Sequence, residues 1–313
     1  MSAATSSAPA ASTPVDLTGK ADGARLRELG FQLLMLFALL VALGFLVALL
    51  WDILSQAVPF LNERGWAGFV TDPVSTRPES TGLGQAIVGS VQIGLITMGV
   101  AFPLGVATAV YLEEYAERNT LTRIVDINIR NLAGVPSIVY GLLGLAIFVE
   151  LMSFLGGSSV LAGGLTLALL ALPIVTIAAA EALRSVPRSL REGGYGLGAT
   201  RWQVTKQLVL PNAAPGILTG MILALARAIG ETAPLIVVGA ATFLTNDVRV
   251  LTGWVDPFFT AIPIVVFNWA RLPQPAWREQ VAPSGILILL LFTLTLNAAA
   301  ILLRNHFEKK KSN

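Results

Sequence analysis

The chain has 313 residues, 54% hydrophobic and only 13% charged, and its 21 basic and 19 acidic residues leave a net charge of +2. Soluble proteins are about a quarter charged, so half that fraction and a mean hydropathy of +0.72 point to a bilayer. The absence of cysteine excludes disulfides, cysteine-ligated zinc and thiol catalysis, and a single histidine, His306 in the basic C-terminal tail, excludes a histidine triad or cluster.

Residues 1–30 are rich in Ala, Ser, Thr and Pro, the composition of a disordered tail. Six apolar stretches follow: Phe31–Trp51, Gly84–Tyr111, Leu132–Leu155, Ser159–Ala180, Ala213–Leu244 and Ser284–Leu303. Each reaches the ~20 residues that a helix needs to cross ~30 Å of hydrocarbon. Their only charges are Glu150, Arg227 and Glu231. An all-α, polytopic membrane protein with six transmembrane helices is predicted, residues 31–313 forming one domain. The first stretch follows Lys20, Arg25 and Arg27, and Ser55-Gln56-Ala57 resembles a cleavage triplet. It is, however, longer than the usual ~7–15-residue signal core, so it is assigned as a retained helix.

Lys and Arg counts set the orientation. With the N-terminus inside, the inner segments hold 15 basic residues and the outer loops 5. Both termini are therefore expected in the cytoplasm. Of the two long outer loops, the second carries Trp254, Phe258, Phe259, Phe267, Trp269 and Trp277. That composition predicts aromatic anchoring at the membrane surface, with a short re-entrant or interfacial helix around Ile262–Trp269.

The inner loop at about 184–211 predicts two short helices. Pro187 suits a first turn, Gly198 a C-terminal stop, and Thr200 with Gln203 a capping box that starts the second helix. Pro211 marks re-entry into the membrane. Five basic residues would also let such an elbow lie on an anionic leaflet.

Arg227 and Glu231 sit inside the fifth apolar stretch. A mid-membrane charge costs about 2.5–3.5 kcal/mol on insertion scales, so each needs a partner or a wet cavity. At 100° per residue, Gly216, Ala224, Arg227 and Glu231 fall within about 40° of Gly220. The charges are thus expected on the small-residue face that packs against another helix. Mutual neutralisation and attraction of a passing anion by Arg227, tuned by Glu231, are both compatible with this spacing. Glu150 is given no role, and Thr293, Thr295 and Asn297 are expected to bond between helices. No G-x-x-x-x-G-K-[ST] phosphate loop is present, so any energy input comes from a partner or a gradient.

The order of residues in the elbow is specific. Glu192-Gly193-Gly194, three residues, Gly198, nine residues, then Leu208-x-Leu210-Pro211 resembles the E-A-A-x3-G-x9-I-x-L-P signature of ATP-binding-cassette importer permeases. Gly-Gly replaces Ala-Ala and Leu208 replaces Ile. Three further segments resemble phosphate-importer (Pst-type) permeases: Ala226-Arg-Ala-Ile-Gly-Glu231-Thr-Ala-Pro-Leu235, Leu132-Ala-Gly-Val-Pro136-Ser-Ile-Val-Tyr140-Gly141, and Thr260-Ala-Ile-Pro-Ile-Val-Val-Phe-Asn268-Trp269. Glu-Thr-Ala-Pro-Leu resembles the A-type subunit rather than its C-type partner. Some members carry an arginine after Pro-Ile-Val in helix four; here Pro173-Ile174-Val175 runs on into Thr176.

The resemblance implies a type I, MetI-like permease fold and a non-enzymatic subunit of a phosphate importer in the bacterial inner membrane. Its partners would be a C-type permease, two copies of an ATPase holding ATP and magnesium, and a periplasmic or lipid-anchored phosphate-binding protein. No cofactor on this chain and no nucleic-acid partner are expected. Glu192 would contact the ATPase, Gly198 would permit the turn, and Gly193, Gly194, Leu208, Leu210 and Pro211 would complete the coupling loop. Arg227 and Glu231 would line the path, with Arg130 contributing at its inner edge. An importer of molybdate or sulfate would keep the elbow but not the helix-five match. A gradient-driven transporter usually shows inverted repeats or paired broken helices, which the sequence does not display, and a membrane sensor is the remaining alternative.

Overall fold

The computed structural model describes residues 21–117, 119–240, 254 and 259–312, and all regular structure among them is helical. The tail at 1–20 and residues 241–253 and 255–258, which include Phe258 of the second outer loop, lie outside the described residues. The chain divides into two units, Met1–Asp52 and Ile53–Asn313. Among the described residues, five helices are long and apolar enough to span a membrane, and a sixth span results if one bent pair counts as a single crossing. The multi-pass membrane architecture is therefore as the apolar stretches predict.

Helix α1 (Ala21–Arg64) starts ten residues before the apolar run and carries Pro59 inside it. The apolar window of α1 is wholly exposed in the chain. In the second unit, Ala57 and Leu61 join a core with Phe69 of α2 (Trp66–Thr71), Trp269 and Trp277. Phe69 and Trp269 have ring centroids 6.1 Å apart, and Trp269 and Trp277 5.8 Å. Arg64 pairs with Asp72 at 2.6 Å, and Gly82 lies so close to the Asp72 carbonyl that a Cβ would stand 2.4 Å from its oxygen. The first outer loop is thereby folded onto the bundle.

Helix α3 (Gly84–Val110), extended by a π-helical turn at Tyr111–Tyr115, pairs with α6 (Val160–Arg184) to make the central seam. Small residues bring the two close. A Cβ on Gly105 would meet Val175 at 2.8 Å, one on Gly164 would meet Ile96 at 2.6 Å, and Thr97 Oγ1 donates to the Gly164 carbonyl at 3.1 Å.

The third apolar stretch is not one straight helix. Amphipathic α4 (Thr120–Ala133), capped by Asn119 on the Thr122 amide, is followed by Gly134-Val135-Pro136. Beyond it, α5 (Ser137–Gly144) runs through a π-helical segment to Leu151, bent by 102° from α4. Pro136 has no N–H for a continuing ladder and pushes its predecessor to extended backbone, so the break falls there, where amphipathic α4 gives way to apolar α5.

The fifth stretch is interrupted as well. After the elbow helices α7 (Arg188–Gly196) and α8 (Arg201–Val204) and a π-helical turn at Thr205–Val209, α9 (Leu210–Gly230) ends at Glu231, whose φ and ψ are −78° and 123°. A separate helix, α10 (Ala233–Val238), follows and stops at Gly239 with φ of 97°. Two broken segments thus exist where the sequence displayed none. They also pack together: a Cβ on Gly141 of α5 would sit 2.8 Å from Pro234 Cα of α10.

The short helix expected at the membrane surface forms as α11 (Ile262–Arg271), but Ile262, Ile264, Val265 and Trp269 in it are fully buried. It is core rather than an interfacial anchor, because Ser90 Oγ accepts from the Ile262 amide at 2.9 Å and Gly89 leaves room for the Thr260 carbonyl. Helix α12 (Ala282–Ser312) closes the chain. Thr293 and Thr295 donate to Leu289 and Leu291 of their own helix, not to neighbouring helices as predicted.

Candidate functional site

The elbow forms as two helices around a left-handed glycine. Gly198 has φ of +81°, and the Gly198 and Ala199 amides donate to the Tyr195 and Gly194 carbonyls. The Thr200–Gln203 capping box is present in both directions. Pro187 is the N-cap of α7 rather than its first residue, and Pro211 lies in the first turn of α9. The two glycines of the signature differ. A Cβ on Gly193 would meet nothing within 4 Å, whereas one on Gly194 would meet Leu208 and Val204 at 2.9 Å each. Gly194 therefore lets α7 press on α8.

Val204 and Val209, with Leu208 and Leu210 beside them, pack into a core with Ala109, Ala179, Leu183 and Ala213. That core fixes the elbow to the ends of α3, α6 and α9. Other residues of the elbow are open: Glu192 is exposed with no ion pair among the described residues, Leu197 is 91% exposed and Trp202 58%.

An ion-pair cluster that the sequence did not signal lies at the same end. Arg191 pairs with Glu114 at 2.7 Å, and Arg184 Nε donates to Glu113 at 2.9 Å. Arg130 binds Asp126 at 3.2 Å and Glu181 at 3.5 Å. The partners are 71 and 77 residues apart in the first two pairs, so no local pattern could reveal them.

Arg227 and Glu231 meet as their spacing predicts, Nε to Oε1 at 3.6 Å. The small-residue face packs against another helix as expected, but Arg227 does not lie on it. A Cβ on Gly216 or Gly220 would touch Ala182 or Ala178 of α6, and Ala224 and Ala228 continue as buried residues. This ridge advances four residues at a time and so drifts by about 40° per step. Arg227 falls outside it, with 58% of its side chain exposed against 21% for Glu231. The register that opposes Gly216 to Ala182 and Gly220 to Ala178 puts Arg227 level with about Ala171, near the middle of α6. Arg130, paired with Glu181 next to Ala182, belongs to the elbow end, eleven residues of α9 below Arg227 or about 16 Å. The structure does not bring those two arginines together.

Residues 101–313 match the model of the family described as "Binding-protein-dependent transport system inner membrane component". The chain belongs to that family. It is a permease, a membrane subunit rather than an enzyme, working with a separate ATPase and a substrate-binding protein. Among relatives, it is 35% identical over 266 residues to phosphate transport system permease protein PstA 1 of Mycobacterium tuberculosis strain H37Rv, covering 84% of this chain and 83% of that one. It is 36% identical to PstA of Yersinia pestis, covering 84% and 85%. A solved structure of the inward-facing MetNI methionine ABC transporter shares the fold at a TM-score of 0.55 and 18% identity, covering 71% of this permease and 93% of that chain.

Proposed function

We propose that this permease conducts inorganic phosphate inward, as one half of a pore completed by a C-type permease. Both termini face the cytoplasm, two ATPase copies dock on the elbow and its counterpart, and a phosphate-binding protein delivers substrate at the opposite face. The observation that carries the reading is the 35–36% identity to two phosphate permeases over 84% of the chain. Arg227 supports it chemically. A guanidinium fork matches phosphate oxygens, and an opposite charge at 4 Å is worth about 4 kcal/mol at an effective dielectric of 20. Glu231 at 3.6 Å offsets part of that attraction, which suits a site that must release what it holds. An arginine level with the middle of α6 and 58% exposed belongs against a wet path or a second permease, since lipid would cost about 2.5–3.5 kcal/mol.

Glu192, with the exposed Leu197 and Trp202 of the same elbow, supplies the ATPase contact. Gly198 sets the angle between α7 and α8, and Gly194, Leu208, Leu210 and Pro211 seat them on the bundle, with Gly193 on the open side. Arg130 acts at the elbow end as part of the ion-pair cluster. The test is uptake of radiolabelled phosphate by the purified complex in proteoliposomes, with sulfate and molybdate as competitors. Phosphate uptake unaffected by either competitor is the expected result. Preferential sulfate or molybdate uptake would overturn the substrate.

A further inference from the structure

The coupling surface of α7 faces outward, but its inward face carries a group that the family signature does not include. Arg191 directly precedes Glu192. Its side chain is 18% exposed and that of Glu114 only 5%. Every arm of the guanidinium is engaged. Nε and Nη2 donate to Glu114 at 3.1 and 2.7 Å, Nη1 donates to the Val186 carbonyl at 2.7 Å, and Nη2 donates to the Leu183 carbonyl at 2.9 Å. Leu183 lies in the last turn of α6, Val186 in the link to α7, and Glu114 in the π-helical turn that ends α3. The neighbouring Glu113 holds Arg184, the last residue of α6. One arginine thus fastens the elbow to both helices of the central seam.

Stability alone does not account for such a group. The elbow already sits on the bundle through Val204, Val209, Leu208 and Leu210. A buried ion pair is often no more stabilising than apolar residues of the same volume. What the pair adds is direction: a planar fork with bidentate and carbonyl contacts fixes orientation as well as distance.

We infer that Arg191 and Glu114 are positioning residues for energy coupling, forming the pin through which movement of the ATPase-facing elbow turns α3 and α6 as one body. A push received at Glu192 passes one residue along α7 to Arg191, and from there to Glu114 and the Leu183 carbonyl. Apolar contacts alone would let α7 roll over the core beneath it. The inference rests on the proposed transport function and adds a residue pair to it.

The test uses the intact complex in proteoliposomes with Arg191→Lys and Glu114→Gln, each measured for ATPase co-purification, stimulated ATP hydrolysis and phosphate uptake. Lysine keeps the charge but cannot reproduce the fork, and glutamine keeps the shape without the charge. Both variants are expected to retain the ATPase and at least about half of its stimulated hydrolysis, while uptake falls about tenfold, the loss of one or two charge-assisted bonds. ATP consumed per phosphate transported therefore rises about fivefold. An unchanged ratio in both variants overturns the pin. Loss of the ATPase from the complex in both also overturns it, because the pair would then serve assembly. Failure of the wild-type complex to transport phosphate would instead count against the substrate assignment.

Discussion

Adding one methyl group at Gly141 tests whether the contact between the two broken segments matters. Contacting carbons settle about 3.5–4.0 Å apart. A Cβ at residue 141 would lie 2.8 Å from Pro234 Cα, 3.0 Å from Val237 Cβ and 3.1 Å from the Pro234 carbonyl oxygen. Two of these are backbone atoms and cannot swing aside, so α5 and α10 must part by about 0.7–1 Å. Overpacking of this kind costs about 1–3 kcal/mol. Glu231 and Thr232 lead directly into α10, so the same displacement moves Glu231 relative to Arg227. A misplacement of that size in a site that works by position lowers rate by about tenfold or more. Gly141→Ala is expected to lower the melting midpoint of the solubilised complex by roughly 2–8 °C and to reduce phosphate uptake. Gly99→Ala, with nothing within 4 Å of its Cβ, is the control. A Gly141→Ala complex that melts and transports like the control refutes the reasoning.

Arg227→Ala is expected to abolish uptake while the complex still assembles, and Arg227→Lys to retain a minor fraction; co-purification with radiotracer uptake reads both, and normal uptake by the alanine variant removes the anion-path role. At Gly198, φ of +81° costs a β-branched residue about 1–2 kcal/mol, so Gly198→Val should impair stimulation of the ATPase whereas Gly198→Asn, tolerant of that conformation, should not. Equal behaviour of the two would mean that the turn has no part in coupling. Gly193→Ala should stabilise α7 by up to about 1 kcal/mol, while Gly194→Ala should gain nothing, since its Cβ meets Val204 and Leu208 at 2.9 Å. Thermal melting of the pair decides this, and a shared rise in midpoint would contradict the close approach of α7 to α8.

The elbow was legible in the sequence because its determinants are local. A capping box, a glycine stop and a proline act within a few residues, and each forms where its spacing put it. The spans were legible from hydropathy, but their continuity was not. Gly134-Val135-Pro136 separates amphipathic α4 from α5 close to the start of the third apolar stretch, and Glu231-Thr232 interrupts the fifth; a transfer scale does not register backbone geometry. Trp269 and Trp277 have the composition of a surface belt and the positions of a core, a difference that depends on Phe69 from a distant loop. Arg227 was placed on the packed face by a straight wheel, whereas the real seam follows a four-residue ridge and leaves it behind. Arg191 and Glu114 became visible only when residues 77 apart met.

The open side of Arg227 bears on how the complex comes into being. A newly inserted chain without its second permease would hold that guanidinium, 58% uncovered, against acyl chains, at about 2.5–3.5 kcal/mol. Pairing removes the penalty and so adds to the free energy of association without any new contact. If Arg227 recruits an anion in the finished pore, as proposed, the same side chain also favours chains that have found the proposed second permease.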